Sequence, residues 1–217
     1  MLTFSPFTSL TSLASKSTRH RSKHATCPLE TSLTAQAYDH EVTTIALVQG
    51  QALGGGFEAA LAAHVLIAER SAKFAFPEIL FNMFPGMGAY QLLCRRLSRR
   101  EAEHVILSGR TYTALELHAL GVVDVLAEDG HGEEAERRYI RSHARQSHAR
   151  KGFRRAIDIA SPLDLATLRQ MADVWVETAM GLSTPDLDTI DYLLRAQQRQ
   201  SQRVQDEMQT HQVLQEA

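Results

Sequence analysis

The chain has 217 residues, of which 44% are hydrophobic and 22% are charged, and its formal net charge is −2 at pH 7. This length and composition predict one folded domain with a real core and exclude a general attraction to nucleic acid or to an anionic membrane. The two cysteines suggest no disulfide framework, which favours a reducing compartment. No apolar run is long enough to span a bilayer, so we expect a cytoplasmic protein. The ten histidines show no HxH or HExxH spacing, and we expect no metal site.

Residues 1–40 differ in composition from the rest of the chain. They are rich in Ser and Thr, carry no acidic residue before Glu30, and show no sustained hydrophobic period. This pattern predicts a disordered or poorly packed segment. Its bias also resembles that of an organelle transit peptide, but we prefer the interpretation of an altered N-terminus.

Residues 41–128 alternate between short predicted strands and helices. Val42–Val48 is β-branched and apolar and predicts a buried strand, after which a turn over Gly50–Gly56 leads into a short buried helix over Phe57–Ala63. The other predicted elements are strands over Val65–Ala68, Lys73–Phe76 and Val122–Leu126, a helix over Ala89–Leu97, and helices that begin with capping boxes at Ser98 and Thr113. This alternation predicts an α/β unit with stacked turns.

Residues 129–217 are predicted to be helical throughout. Residues 133–150 are strongly charged, which is typical of a solvated helix face. Ser161, Pro162 and Asp164 predict a helix start, and apolar residues then recur at steps of three and four. Thr184 with Pro185 predicts another helix start, and the Gln- and Arg-rich end of the chain is expected to fray into solvent.

Two glutamates twenty residues apart carry the clearest chemical signal. Glu58 follows the run Gly54-Gly-Gly56, and Glu78 lies among the apolar residues of Phe76–Phe81. A carboxyl group with little water around it has a raised pKa and can exchange protons near neutral pH. A glycine turn that opens a helix can direct backbone N–H groups at a developing negative charge. We prefer this acid–base interpretation to a tight packing turn and a solvated pair of surface glutamates.

A set of short stretches carries a resemblance to a known family. They are Ala52-Leu-Gly-Gly-Gly-Phe-Glu-Ala-Ala60, Leu66–Glu69, Pro77–Phe81, Phe84-Pro-Gly-Met-Gly-Ala-Tyr90, Gly121–Asp124, Val174–Ala179 and Arg195–Arg199. Together they resemble the crotonase (enoyl-CoA hydratase/isomerase) superfamily over about residues 42–205, and within it the branch of diffusible-signal-factor synthases. The resemblance implies a crotonase-like α/β fold, a spiral of stacked β-β-α units with a helical C-terminal region. Family elements that normally precede Ala46 are absent or replaced, which implies an N-terminally incomplete fold.

The resemblance also implies a chemistry for the two glutamates. Glu58 and Glu78 would face one pocket as catalytic acid and base, and Gly55 would supply an oxyanion-hole N–H group. The family's other N–H donor lies upstream of Ala46 and is not identifiable in this sequence. For the synthase branch, the implied reaction is dehydration of a 3-hydroxyacyl thioester to a cis-2-enoyl chain, followed by hydrolysis of the thioester. No cofactor is implied, because acyl carrier protein or coenzyme A carries the substrate.

The acyl chain needs an apolar slot beside the glutamates. The residues predicted to line the substrate site are Leu53, Gly54, Met87, Trp175 and Leu193. An ordinary place in the core is the main alternative for Trp175 and for Leu193. The resemblance further implies a homo-oligomer, a trimer or a hexamer, formed through the C-terminal helices.

Two other functions stay open at this point. One is a general enoyl-CoA hydratase or isomerase of fatty-acid metabolism, and the other is a truncated, inactive homologue that acts only as an association partner. The missing upstream elements favour the second alternative. A basic cluster, Arg95, Arg96, Arg99 and Arg100, either keeps the surface soluble or docks an acidic acyl carrier protein.

Overall fold

The structure is a computed structural model that describes residues 42–196. The chain divides into two compact units, of which the first ends at Met180 and the second begins at Gly181. The predictions made for residues 1–40 and for the Gln- and Arg-rich end lie outside the described residues. In the second unit, residues 184–196 are helical, as Thr184 and Pro185 predict. No helix in the described part of the chain is both long enough and apolar enough to cross a membrane.

Two small sheets of three strands each form the frame of the first unit. In chain order the strands are β1 (Ile45–Val48), β2 (Gln51–Leu53), β3 (Val65–Glu69), β4 (Lys73–Ala75), β5 (Tyr112–Thr113) and β6 (Val125–Ala127). One sheet has the order β1-β3-β6 with parallel pairing, and the other has the order β2-β4-β5 with β5 antiparallel. Because β1 leads to β2 and β3 leads to β4, the chain passes repeatedly from the first sheet to the second. This is the stacked arrangement that the sequence predicts.

Helices connect and cover the two sheets. They are α1 (Gly55–Leu61), α2 (Ala89–Cys94), α3 (Arg99–Leu107), α4 (Ala114–Ala119), α5 (Gly132–His143), α6 (Ser147–Ala160) and α7 (Leu165–Met180), with 3-10 helices over Pro77–Phe81 and Ala144–Gln146. Both predicted capping boxes are present, at Ser98 and at Thr113. The predicted start of α7 is also confirmed, because the Asp164 carboxylate accepts the N–H of Thr167 at 2.8 Å.

Three phenylalanines anchor α1 to the second sheet. The ring centroid of Phe57 lies 5.1 Å from that of Phe74 and 4.7 Å from that of Phe76, and all three side chains are buried. Burying a side chain of this size stabilises a fold by about 1.5–3 kcal/mol. Since Phe57 immediately precedes Glu58, this aromatic cluster also fixes the part of α1 that carries the first glutamate.

The structure corrects three predicted elements. Gln51–Leu53 lies inside the predicted turn, but it pairs with β4 as strand β2. The predicted strand over Val122–Leu126 begins only at Val125, because the N–H groups of Val122 and Val123 donate to the Leu117 carbonyl and so close the end of α4. Strand β1 is half-buried rather than buried, since it forms the outer strand of its sheet among the described residues.

Candidate active site

Helix α1 begins directly at the glycine run, two residues earlier than the sequence predicts. Gly54 precedes the helix with φ 54° and ψ −123°, a backbone conformation that side-chain-bearing residues rarely adopt. Its N–H donates to the Ala75 carbonyl at 2.9 Å and ties the turn to β4. Its carbonyl accepts the N–H groups of Phe57 and Glu58, whereas the N–H of Gly55 has no backbone partner in residues 42–196. The backbone of the described residues therefore does not use the N–H of Gly55, and the oxyanion role of Gly55 stays a prediction.

Glu58 is held by a loop that lies far away in the sequence. Its side chain is only 2% exposed, and its Oε1 accepts the N–H of Met87 at 2.7 Å and the N–H of Ala89 at 3.0 Å. Burial raises the pKa of Glu58 to about 7, although the two N–H donors oppose the rise. Glu58 is therefore a carboxyl group that can exchange a proton near neutral pH.

Glu78 lies in the 3-10 helix Pro77–Phe81 and is 7% exposed. Its Oε2 is buried and has no hydrogen-bond partner among the residues that the structure describes. Burial, and after it the charge of Glu58, raises the pKa of Glu78 to about 8. A buried carboxyl oxygen without a donor strongly disfavours the ionised form, so Glu78 is the better proton carrier of the two glutamates.

The two carboxyl groups act on each other electrostatically, as the effect of Glu58 on the pKa of Glu78 shows. Carboxyl groups that interact in this way titrate as a pair, and one proton remains on the pair over the range between their two apparent pKa values. Such a pair contains an acid and a base at the same pH. The site can therefore donate one proton and accept another in a single reaction.

Helix α7 packs against the loop that holds Glu58. A Cβ atom placed on Gly86 would lie 2.6 Å from the Trp175 ring, and one placed on Gly88, where φ is 104°, would lie 2.6 Å from Leu168 Cδ2. A side chain at either position would force Trp175, Leu168 or the loop to move. Trp175 and Leu168 thus support the loop from its other side, and they fix the direction of the N–H groups that it donates.

The predicted substrate residues have different positions. Leu53 is half-buried at the end of β2, and Gly54 forms the turn after it. Met87 is half-buried and contributes its N–H to Glu58. Trp175 is half-buried and packs against Gly86, in line with the alternative of a core residue. Leu193 belongs to the second unit, and substrate contacts for all five residues stay a prediction.

Sequence reasoning did not identify Ala89 as a donor to Glu58, nor Leu168 as a support of the loop. The two glycines of Phe84-Pro-Gly-Met-Gly88 were the available signal, because closely spaced glycines often mark a backbone that another group approaches closely. The helix that approaches them begins more than seventy residues further along the chain. No local pattern in the sequence connects the two segments.

The basic cluster does not lie on the surface as a whole. Arg95 is ion-paired with Asp158, and Arg96 donates to Asp124 Oδ2 and to the Val122 carbonyl, both at 3.0 Å. Arg99 and Arg100 are exposed. Residues 42–196 contain no group of three or more His, Cys, Asp or Glu side chains that could hold a metal ion.

Three comparisons with known proteins bear on this site. The family model described as "Enoyl-CoA hydratase/isomerase" matches residues 8–173, and this range begins inside the segment that we predicted to lie outside the domain. The protein named "Probable enoyl-CoA hydratase echA8" of Mycobacterium tuberculosis is 49% identical over 80 residues, which are 37% of this chain and 31% of that protein. The match includes much less than two thirds of that relative's length.

Solved structures of hydratases have the same fold. The crystal structure of a putative enoyl-CoA hydratase from Streptomyces avermitilis superposes with a TM-score of 0.60 and 25% identity, over 78% of this chain and 60% of that one. An enoyl-CoA hydratase from Bacillus halodurans gives a TM-score of 0.70 at 22% identity, over 85% of this chain and 73% of that one, and this likeness concerns the fold alone. The fold is that of crotonase, and because the family model covers more than half of the sequence, the chain belongs to the enoyl-CoA hydratase/isomerase family.

Proposed function

We propose that Glu58 and Glu78 catalyse the reversible addition of water to the α,β double bond of an acyl thioester. The observation that carries this proposal is the pair of interacting buried carboxyl groups. One accepts two N–H groups, and the other has an oxygen without a hydrogen-bond partner in residues 42–196. Membership of the family supports a coenzyme A thioester as the substrate. The relatives named above are hydratases by name, which agrees with this reaction class.

The two environments assign a role to each glutamate. Glu58 has donors that favour its ionised form, so it acts as the base that takes a proton from the attacking water. Glu78 carries the shared proton and gives it to the α carbon, while the water oxygen bonds to the β carbon. Solvent then moves one proton from Glu58 back to Glu78. In the dehydration direction, Glu78 removes the α proton and Glu58 protonates the leaving hydroxyl group.

The carbonyl oxygen of the thioester becomes negatively charged as the α proton moves. We assign its stabilisation to the N–H of Gly55, which has no backbone partner in the described part of the chain. One oxyanion-hole donor contributes about 3–4 kcal/mol to a transition state. Gly55 lies three residues before Glu58 on α1, so the donor and the base are positioned by the same helix.

The test measures the turnover of Glu58→Gln and Glu78→Gln on an enoyl-CoA substrate, monitored as the loss of enoyl-thioester absorbance. Each change keeps the shape of the side chain and removes its proton exchange, so we expect kcat to fall at least about a hundredfold. Glu69→Gln is the matched control, because it changes a buried carboxylate that lies outside the site. Near-normal turnover of Glu58→Gln or Glu78→Gln would refute the assignment.

We also propose a finer function for this site, namely dehydration of a 3-hydroxyacyl chain on acyl carrier protein followed by release of the cis-2-enoic acid. It is supported by the stretches over residues 52–60 and 84–90, which resemble the synthase branch. Mass spectrometry of the products from matched carrier-protein and coenzyme A substrates separates the alternatives. Hydration without release of free acid would identify a general hydratase. A folded chain that turns over neither substrate would favour the alternative of an inactive homologue.

We further propose that the chain forms a homo-oligomer through its C-terminal helices. Phe153 and Ile159 on α6 are 69% and 83% exposed, and Val174 and Met180 on α7 are 53% and 67% exposed. Helices that expose several large apolar side chains are candidates for a surface that has a partner. Light scattering of the full chain at micromolar concentration should give the mass of a trimer or a hexamer. A well-folded monomer would contradict this proposal.

A further inference from the structure

A cavity lies at the other end of α1 from the glycine turn. A cavity of about 410 Å³ is lined by residues 61–65, which join α1 to β3, and by side chains from α5 and α6. Glu58, Glu78 and Met87 are not among its lining residues. The cavity is therefore separate from the two glutamates, and the proposed reaction gives it no role.

Four arginines and two aspartates line this cavity. The two aspartates neutralise two of the arginines, since Asp158 is paired with Arg95 and Asp124 is paired with Arg96. The remaining two arginines, Arg150 and Arg154, come from one face of α6, four residues apart. Neither is ion-paired within residues 42–196, although the charges of Asp124 and Asp158 also act on Arg154. With four arginines and two aspartates, the lining carries two positive charges in excess.

The environments of Arg150 and Arg154 show that their positive charges are poorly compensated. The Nε of Arg150 is buried and has no hydrogen-bond partner within the described residues, and its Nη1 reaches only the Tyr139 hydroxyl, at 3.5 Å. Arg154 donates to the Thr43 hydroxyl. Burial lowers the pKa of Arg154, and the charge of Arg150 adds to the fall, while Tyr139, Asp124 and Asp158 oppose it. Both side chains are half-buried, and a guanidinium group with an unused buried donor is better stabilised when an anion approaches it.

The charge and the lining together indicate the kind of anion. A phosphate monoester carries about −1.5 to −2 charges at pH 7 and so balances two arginines, whereas a single carboxylate leaves one arginine uncompensated. The fork of a guanidinium group also matches the spacing of phosphate oxygens. The rest of the cavity is much larger than a phosphate group and includes the apolar side chains of Leu61, Leu92, Phe153 and Ile157.

We propose that this cavity binds a small phosphate monoester, with the phosphate between Arg150 and Arg154 and an apolar or aromatic body against the remaining wall. Phenyl phosphate is a suitable probe, and binding to the full chain can be measured by calorimetry. We expect phenyl phosphate to bind at least about fivefold more tightly than inorganic phosphate, which lacks the body, and more tightly than benzoate, which lacks the second charge. Benzoate binding as tightly as phenyl phosphate, or no binding of phenyl phosphate at millimolar concentration, would overturn the proposal.

Two arginine variants test whether the phosphate lies between Arg150 and Arg154. Arg150→Gln and Arg154→Gln should each weaken phenyl phosphate binding at least about tenfold, because each removes half of the uncompensated charge. Arg137→Gln is the control, since Arg137 is an exposed arginine of α5 paired with Glu133. An equal loss in the control would show nonspecific attraction and refute the site. In the unaltered chain, the probe should shift the amide NMR signals of Ala63–Val65 and leave those of Met87–Ala89 in place; the reverse pattern would also refute it.

Discussion

Glu58 and Glu69 are both buried, at 2% and 4% exposure, yet their pKa values move in opposite directions. Burial raises the pKa of both groups. In Glu69, however, donation from the Gln49 side chain and from the N–H groups of Gly130 and Gly132 outweighs burial and holds the pKa below its usual value. In Glu58, two N–H donors do not outweigh it.

The comparison separates two uses of a buried glutamate in one small domain. Glu69 ends β3, and its Oε1 accepts the N–H of Gly132 at 3.0 Å, so it joins the first sheet to the start of α5. It remains ionised and acts as a structural support. Glu58 and Glu78 have fewer donors than their burial demands, and they can therefore change protonation near neutral pH. The balance between burial and donors, and not burial alone, distinguishes a candidate catalytic carboxyl group from a structural one.

Apart from the substitutions of the two glutamates, the largest effect on turnover is expected from changing the loop that supplies the donors of Glu58. Gly88→Ala places a methyl group 2.6 Å from Leu168 Cδ2 and forces alanine into a φ of 104°. Either Leu168 or the loop must move, and we expect a shift of the loop that weakens its N–H donation to Glu58. We expect kcat on an enoyl-CoA substrate to fall at least about tenfold, since misplacing a catalytic group by a small distance is costly.

The control for this change is Gly121→Ala. Gly121 also has a positive φ, 84°, but no atom would lie within 4 Å of the new methyl group. It therefore adds the backbone strain of alanine without moving the loop, and thermal unfolding should show a loss of stability with little change in kcat. If both variants lose activity equally, the loss comes from general destabilisation, and the support of Glu58 by this loop is not required.

The second prediction concerns stability as a function of pH. The pKa of Glu78 is higher in the folded chain than its usual value of 4.5, so the protonated group stabilises the fold at low pH and this contribution is lost as the pH rises towards about 8. Glutamine cannot ionise, so the Glu78→Gln variant does not lose this stability as the pH rises. Relative to the unaltered chain, we expect it to gain at least about 1 kcal/mol in free energy of unfolding between pH 5 and pH 8.5, because one pKa unit corresponds to about 1.4 kcal/mol.

Glu69→Gln should show the opposite dependence. The pKa of Glu69 is lowered by folding, so its ionised form stabilises the fold above the usual pKa and this contribution is lost in acid. We expect Glu69→Gln to be less stable than the unaltered chain at pH 7, by about 1–3 kcal/mol for the loss of charged hydrogen bonds, and the deficit to shrink towards pH 3. Urea unfolding at several pH values measures both variants, and parallel profiles for Glu69→Gln and Glu78→Gln would contradict the comparison.

The smallest effect concerns the position of the pH–rate profile. Because the glutamate pair must hold one proton, kcat/KM should be bell-shaped with its maximum between about pH 7 and about pH 8, the two values of Glu58 and Glu78. Glu69→Gln should leave the acidic and basic limbs of this profile in place to within about 0.2 pH units, since Glu69 lies outside the glutamate pair. A flat profile from pH 5 to pH 9 would show that the pair does not titrate in the reaction.

Local patterns in the sequence determined much of the fold of the first unit. The capping boxes at Ser98 and Thr113 and the start of α7 at Asp164 depend on residues that are neighbours along the chain, and each was predicted correctly. The glycine run and the two glutamates could also be recognised in the sequence, because a helix-opening turn and apolar flanking residues are local features. Strand β2 was missed, since three residues become a strand only when β4 lies beside them.

The sequence by itself determined which carboxyl groups belong to the family motif and which turn precedes them. Only the tertiary structure decided how each carboxyl group behaves. The donors of Glu58 come from Met87 and Ala89, and their loop is supported by Trp175, which lies still further along the chain. Glu69 could be mistaken for another apolar-flanked acid until Gln49 and Gly132 are placed around it. The pKa of a buried group depends on the surrounding solvent, donors and charges, and these are supplied by segments that only folding brings together.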